Sequence, residues 1–526
     1  MSEKKITEEI ARGLTPKALV FGLVYAIIVT VIMSYFGGKL LIAASRVDQY
    51  GGNWFAQWDT APLLLMFFIF VPALLIGFMP MKSRFTRQEL AIITAMISVG
   101  PILGYPFYSP VTSLNFIPGT LEWGPPWNDY ALKWIPDHWG PKDPAVYRGF
   151  NWGGQAVPWG TWTPYLGFWL AFYGVFILMF AFAAVLTRRL VVDVVALPFP
   201  MAQAYIRTIN DATMQRPRAP ILGKFLWLGI ILGCLINIGS VLNFWIPSIP
   251  HIRARVELNP LVLVPWMNFQ YGFDPAHIGF GYLIPIDVLV SAILWFIVVA
   301  WILFPVEFSA GLLPGATRTA LDSTNVIYGW GIGFGKMVPV LHPYGFNPIW
   351  MGILVSVIGY YFWVGRSEAK AILSSIIKPR PKEITAEEPI SQRSAWIGLI
   401  VTFILMVVLL MPMPIWLSVG FLLALLLTYY GYAMIAGDAG TGNWHVHLGP
   451  WYFANTAFLL IATGGAAAWG QQGMMAALVL TTTLVYWMSA YWNPLPKYLE
   501  AFKVAKDTKT RNKDMLIALI LSSIVC

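Results

Sequence analysis

The side chains able to do chemistry are few, and they stand apart. The six histidines are His138, His251, His277, His342, His445 and His447. The first three fall in loop-like segments and His342 at the edge of an apolar run. Haem and copper sites in membranes need histidines facing one another from mid-helix, and none of the clear apolar runs carries one. His445 and His447, in "GDAGTGNWHVHLGPW" (437–451), could both donate to one metal. Two donors fall short of a site unless Asp438 folds back to join them, so neither a metal nor a cofactor is expected. Two cysteines, Cys234 and Cys526, make neither a disulfide framework nor a Cys-rich site. No GxxxxGK[ST], GxGxxG–Asp or HExxH pattern occurs, which argues against an ATP motor on this chain and against a zincin-type protease. The inventory is not that of an enzyme.

What remains are isolated ionisable groups beside apolar runs: Asp193 ahead of "LPFP", Asp287 in "GYLIPIDVLVSAILWF", Glu307 in "FPVEFSAGLLPG" and Lys336 in "GWGIGFGKMVP". A charge in lipid costs several kcal/mol unless paired or hydrated, so such a group marks a pathway by default. Interfacial snorkelling is the plainer reading for Glu307, and it competes evenly for Asp287. Asp193, Asp287 and Glu307 are the candidate proton carriers.

The elements that would position these groups are membrane helices. The chain has 526 residues, 58% hydrophobic and only 11% charged, with mean hydropathy +0.65. A soluble domain is nearer about 25% charged. Apolar runs long enough to cross roughly 30 Å of hydrocarbon predict spans at 17–36, 61–80, 89–105, 163–186, 221–246, 282–304, 346–364, 395–411, 415–436, 452–469 and 474–492, and the start of a twelfth near Met515. Residues 321–341, "LDSTNVIYGWGIGFGKMVPVL", are glycine-rich and read as an interrupted thirteenth. The formal charge of +9 belongs to loops between spans, where positive-inside bias explains it without nucleic acid.

Charge also sets the orientation. Lys82, Arg84 and Arg87 mark the loop at 82–88. Residues 187–224 hold six basic side chains against Asp193 and Asp211, and 497–513 hold six against Glu500 and Asp507. These segments, the N-terminal residues 1–16 and the 366–393 linker (Arg366, Lys370, Lys378, Arg380, Lys382, Arg393) are predicted on one side, the cytoplasmic one. The N-terminus lacks a cleavable signal pattern. The loops at 46–59, 106–161 and 248–281 then face outward. The longest of them, with "LEWGPPWNDYALKWIPDHWGPKD", is an aromatic cap at headgroup level, a vestibule over a pathway, or both. At the other end, "DMLIALILSSIVC" supplies about 12 of the roughly 20 residues a crossing needs, so the natural chain is expected to continue past Cys526.

Three stretches interrupt the helical pattern: 193–205, 321–341 and 437–451. In the first, Pro198 and Pro200 bracket Phe199; proline removes an amide and fixes φ, so the backbone must leave the helix in water, in protein or beside a cavity. A proline-stiffened cytoplasmic turn is one reading; the other is half of a gate, with Gln203, Tyr205 and Arg207 resuming a helix behind it. The third stretch is either a glycine-rich turn in water or a re-entrant segment lining a cavity. The candidate pathway residues are Asp193, Pro198, Phe199, Pro200, Gln203, Tyr205, Lys336, Asp438, Gly440 and Gly442.

At "ALPFPMAQAYIRTI" the chain resembles the oligopeptide transporter superfamily, which carries a leucine-proline-phenylalanine-proline-serine-glycine stretch after a span on a basic side. Leu197, Pro198, Phe199 and Pro200 match; Met201 and Ala202 stand in place of the serine and glycine. The opening "LTPKALVFGLVYAIIVTVIMSYFGGKL" is similar to that family's first span, and Tyr282–Ser291 to a helix of an uncharacterised prokaryotic branch. The family's asparagine-proline-glycine motif has only "FNPIWMG" (346–352) as a counterpart. The resemblance implies a two-halved repeat fold of about 16 spans when complete, proton-coupled uptake, and peptides or metal–chelate complexes as substrates.

The sequence therefore predicts an all-α polytopic protein of the plasma membrane, one transmembrane domain over 1–526 with 12 or 13 spans, N-terminus cytoplasmic. Broken helices whose free amides and carbonyls replace water suit a secondary transporter, whose partners are its small solute or peptide, the lipid bilayer and a second copy or other membrane subunit. The alternative is a non-catalytic membrane subunit that anchors or stabilises a larger assembly.

Overall fold

The computed structural model describes residues 11–47, 60–80, 84–101, 136–143, 156–214, 223–232, 281–298, 346–381, 386–411, 413–440 and 494–526, with a few isolated positions besides. Every regular element among them is helical; the one extended pairing is an isolated bridge between Ala11 and Thr510. In chain order these are α1 (Pro16–Val47), α2 (Thr60–Phe78), α3 (87–101), α4 (Trp159–Arg188), α5 (Pro200–Thr213), α6 (Ile286–Phe296), α7 (Phe346–Val364), α8 (Arg366–Ser374), α9 (Gln392–Leu409), α10 (Ile415–Ala439), α11 (Pro494–Thr508) and α12 (Asn512–Val525). Three stretches are long and apolar enough to cross a membrane: α4 with its extension to Val194, α9 and α10.

Helices occur over the predicted spans at 17–36, 61–80, 163–186, 346–364, 395–411 and 415–436, over the described residues 89–101 of the span at 89–105, and over part of 282–304. Most of 221–246 and all of 452–469, 474–492 and 321–341 lie outside the described residues. Two expectations change. Besides α5, the helix expected to resume at Gln203, the segments read as cytoplasmic loop and linker contain two further short helices, α8 and α11, whose polar residues interrupt the apolar runs by which spans are recognised. And α10 runs three residues past the expected 436, so Gly437 and Asp438 are helical and the irregular stretch starts only at Gly440.

Lipid offers no hydrophobic drive between helices, so close packing must come from small residues and specific bonds. Ala181, Ala183 and Ala184 of α4 are buried, and Gly398 of α9 lies directly under the Phe182 ring. The Tyr430 hydroxyl of α10 donates to the Ala183 carbonyl (3.3 Å), and the Tyr429 ring meets Phe176 and Phe180 at centroid separations of 6.2 and 4.9 Å. The helix at 87–101 starts with a reciprocal cap: Thr86 N donates to Glu89 Oε2 (2.8 Å) and Glu89 N to Thr86 Oγ1 (3.2 Å), the arrangement that Thr-x-x-Glu encodes.

The basic segments meet at one end of this bundle. Arg84 donates to the carbonyls of Met79, Gly77 and Met214, closing the last turn of α2 and the end of α5 together. Arg87 donates to the Asp507 carbonyl (2.7 Å) and Gln88 to that of Thr508 (3.3 Å). Asp514 accepts the Gly13 and Leu14 amides (3.1 and 3.3 Å) ahead of α1, and Asn512 donates to the Glu387 carbonyl (2.8 Å). The five segments grouped by charge thus share one face of the molecule.

Candidate functional site

The site is the break between α4 and α5. After Arg188 the helix widens into a π-turn, Arg189–Val194, with Val195 N bonded five residues back to Leu190 O (2.8 Å) and Leu197 N six back to Val191 O (3.1 Å). Residues five apart lie on different faces of an α-helix; the wider turn brings Asp193 beneath Arg188. The chain then leaves the helix, as Pro198 and Pro200 require. Ala196 (φ 56°) and Phe199 (φ 47°) both take the left-handed conformation, which costs a non-glycine residue about 1–2 kcal/mol. Such conformations persist only where surrounding contacts over-determine them.

Those contacts come from the end of α10. Phe199 N donates to the Gly437 carbonyl (2.7 Å), while Leu197 and Phe199 are almost fully buried (3% and 2% exposed). A Cβ on Gly437 would sit 2.8 Å from Leu197 Cδ1 and 3.1 Å from Phe199 Cζ; one on Gly440 would sit 2.9 Å from Pro200 Cβ. Gly440 ends the helix at φ 71° with its amide on Ala436 O (3.0 Å), a left-handed cap that glycine takes without a Cβ penalty. These two glycines let the broken segment lie flush on α10. Pro200 then opens α5, where the missing amide is no loss.

Ion pairs clamp the assembly. The Arg188 guanidinium, buried, donates to both carboxylate oxygens of Glu388 (2.9 and 2.8 Å) and lies 2.9 Å from Asp193. Asp193 is also 3.0 Å from Lys506 of α11, whose ammonium donates to the Val192 carbonyl (3.0 Å). Arg189 lies 3.5 Å from Glu368 of α8, and Arg380 lies 2.6 Å from the same carboxylate. The π-turn is thereby tied to α8, to the 386–390 turn and to α11. A planar guanidinium holding a carboxylate at two points fixes orientation as well as distance.

Of the residues singled out in the sequence, the structure brings together Asp193, Pro198, Phe199, Pro200 and Gly440. Gln203 is exposed on α5 with its amide donating to the Pro198 carbonyl (3.2 Å), and Tyr205 is buried on the same helix. Asp438, beside Gly437, accepts a hydrogen bond from Tyr361 of α7. Asp287 stands apart, exposed in the first turn of α6. Lys336, Gly442, Glu307, His445 and His447 lie outside the described residues. Sequence reasoning missed Arg188 as the centre of the clamp, and missed Glu388, Lys506, Glu368, Arg380 and Gly437. Arg188 and Asp193, five apart around a forced break, were the available signal; Glu388, 200 residues away from Arg188, left none.

At the N-terminal end of α4 the turn at 136–140 lies on the helix. Trp139 is buried and its carbonyl accepts from Trp169 Nε1 (2.8 Å); His138 meets the Phe168 ring edge-on at 4.7 Å. Burial holds the His138 pKa below the usual histidine value, with the neighbouring Asp137 opposing. This described part of the 106–161 loop packs its rings against α4.

Among the described residues, helices throughout, three of them of membrane-crossing length, with the basic segments gathered at one end, define the class: an α-helical integral membrane protein. Residues 8–526 match the model of DUF6785, a family of unknown function, and the chain belongs to that family. No curated protein and no solved structure matches it.

Proposed function

We propose that this protein is a secondary transporter of the plasma membrane, N-terminus cytoplasmic, with 12 or 13 spans in this chain. It carries small peptides or related solutes, metal–chelate complexes among them, and is driven by protons. The observation that supports a transporter is the strained break at 195–199, seated on the glycines of α10 and clamped by ion pairs to three other elements. A segment that holds left-handed residues only through its neighbours has a second arrangement within reach once those neighbours move. In this reading the break is a closed inner gate. Opening it withdraws Phe199 N from Gly437 O and slides Pro200 off Gly440. The resemblance at Leu197–Pro200 supplies the substrate class and the proton.

Of the three carboxylates expected to carry that proton, Asp193 is held by two cations and serves the clamp. Asp287 stands in the first turn of its helix, and Glu307 remains to be placed. The test is uptake of labelled di- to tetrapeptides by proteoliposomes, with and without an inward proton gradient. Saturable uptake that the gradient accelerates is expected. Absence of saturable uptake for every peptide tried sinks the peptide reading. A stable co-purifying membrane partner, with no solute moved, would point instead to a subunit of a larger assembly.

A further inference from the structure

The clamp has an outward side that transport by itself does not explain. Gly365 ends α7, and its position lies against the Leu190 and Val195 side chains of the π-turn. From there α8 sets off directly, with Ala369 N on Gly365 O (2.9 Å). One face of α8 is buried: Glu368, Ala369 and Ile372 lie towards the bundle, and Glu368 holds Arg189 and Arg380. The opposite stripe is exposed. It runs along α8 through Arg366, Lys370 and Leu373 at 3- and 4-residue steps, with Trp363 at the end of α7 before it and Ile377 and Lys378 just after it. Leu373 and Ile377 are 64% and 79% exposed, and Trp363 is 70% exposed.

Large apolar side chains exposed beside basic ones, on a short helix, are out of place in water. They suit a helix lying in a membrane interface, with its apolar side chains among acyl chains and its basic groups at phosphates. Two further features commit the stripe to lipid. It continues, across one glycine, from the exposed end of the apolar helix α7, so whatever covers Trp363 and Val364 reaches Leu373 as well. The Arg366 guanidinium also lies over the Trp363 ring, 5.4 Å from its centroid, and tryptophan with arginine is the anchor pair of the headgroup region. The charge of this face is wholly basic: Arg366, Lys370 and Lys378, with Glu368 turned inward.

We propose that α8 is a lipid-docking helix that binds anionic phospholipid headgroups on the side of the basic segments, and that docking braces the break at 195–199 through Gly365 and Glu368. Lipid would then set how firmly the clamp closes. The proposal needs no transport activity and stands or falls separately from it.

The test compares the full chain in nanodiscs of phosphatidylcholine alone with nanodiscs containing about one-third phosphatidylglycerol, following amide exchange at 366–378 and 195–199. In the anionic discs, protection of both segments is expected to rise by about tenfold or more, and to fall back in high salt. Lys370→Gln and Lys378→Gln should each remove about fivefold of that gain. Leu373→Ser/Ile377→Ser should lower protection of α8 in both lipids, since it removes the apolar arm and leaves the charges. Equal protection in the two lipids overturns the proposal. So does a gain produced in phosphatidylcholine discs by inorganic phosphate alone, which would make the basic stripe a soluble-anion site. A gain at 366–378 with none at 195–199 overturns the bracing.

Discussion

The two ends of α4 are held by opposite means. At the N-terminal end Trp139, His138, Phe168 and Trp169 meet as rings, with one neutral hydrogen bond from Trp169 Nε1 to the Trp139 carbonyl. At the C-terminal end Arg188, Glu388, Asp193 and Lys506 meet as charges around a backbone forced into left-handed turns. Ring packing is non-directional in its main term and tolerates a change of shape. A buried guanidinium bonded to two carboxylates tolerates almost none, because removing one partner strands the others. One end can absorb a change of shape; the other holds a single defined arrangement of charges.

Substitutions can break this contrast if it is wrong. The largest effect is expected from Arg188→Ala, which leaves Glu388 buried without its cation. The loss should be about 3–5 kcal/mol, read as a steep fall in apparent melting temperature in detergent. Arg188→Met with Glu388→Leu should recover most of it, since an apolar pair of similar volume carries no desolvation penalty. Next comes Gly437→Val, whose Cβ would meet Leu197 and Phe199. Overpacking of about 1–3 kcal/mol should appear as faster amide exchange at 195–199, with the turn at 136–140 unaffected. Trp139→Phe at the other end should cost less than about 1.5 kcal/mol, because the Trp169 bond goes to a backbone carbonyl that the substitution keeps. If the two ends respond alike to these changes, the contrast fails.

Smaller effects sharpen it. His138 is held by burial below its usual pKa, so the 136–140 turn, once unfolded, takes up a proton first as pH falls from about 6.5. The cap's share of stability is intact above that pH and declines as pH drops through the lower folded value. Tryptophan emission should report this loosening in the wild type and not in His138→Phe. Smallest of all, Ala196→Gly should firm the closed break by about 0.5–1 kcal/mol, since Ala196 is exposed and its left-handed φ suits glycine. Slower exchange at 195–199 would show it.

Some of this was legible in the sequence for clear physical reasons. Proline cannot continue a helix, so a break around Leu197–Pro200 could be expected within 193–205, and the chain leaves the helix at 195–199. Basic side chains gather on one side of a membrane, so Arg84, Arg188, Arg380 and Lys506 could be grouped before any contact was known, and the structure joins their segments at one face. The pairing of Arg188 with Glu388 could not be read, because no periodicity relates residues 200 apart. Gly437 was hidden for a related reason: its role is to lack a side chain where Leu197 arrives from another helix. The short helices α8 and α11 escaped because their charged faces break the apolar runs by which spans are recognised.

The central claim is that the break must leave α10 for the protein to work. A Cβ at Gly437 would lie 3.3 Å from the Leu197 Cβ, close to the separation of about 3.5–4.5 Å that a disulfide spans. Leu197→Cys with Gly437→Cys, made after replacing Cys234 and Cys526 by alanine, should therefore crosslink readily on mild oxidation. Reconstituted in proteoliposomes, this variant is expected to take up peptide when reduced, to stop when oxidised, and to resume on reduction. Undiminished uptake by the fully crosslinked protein would contradict the account.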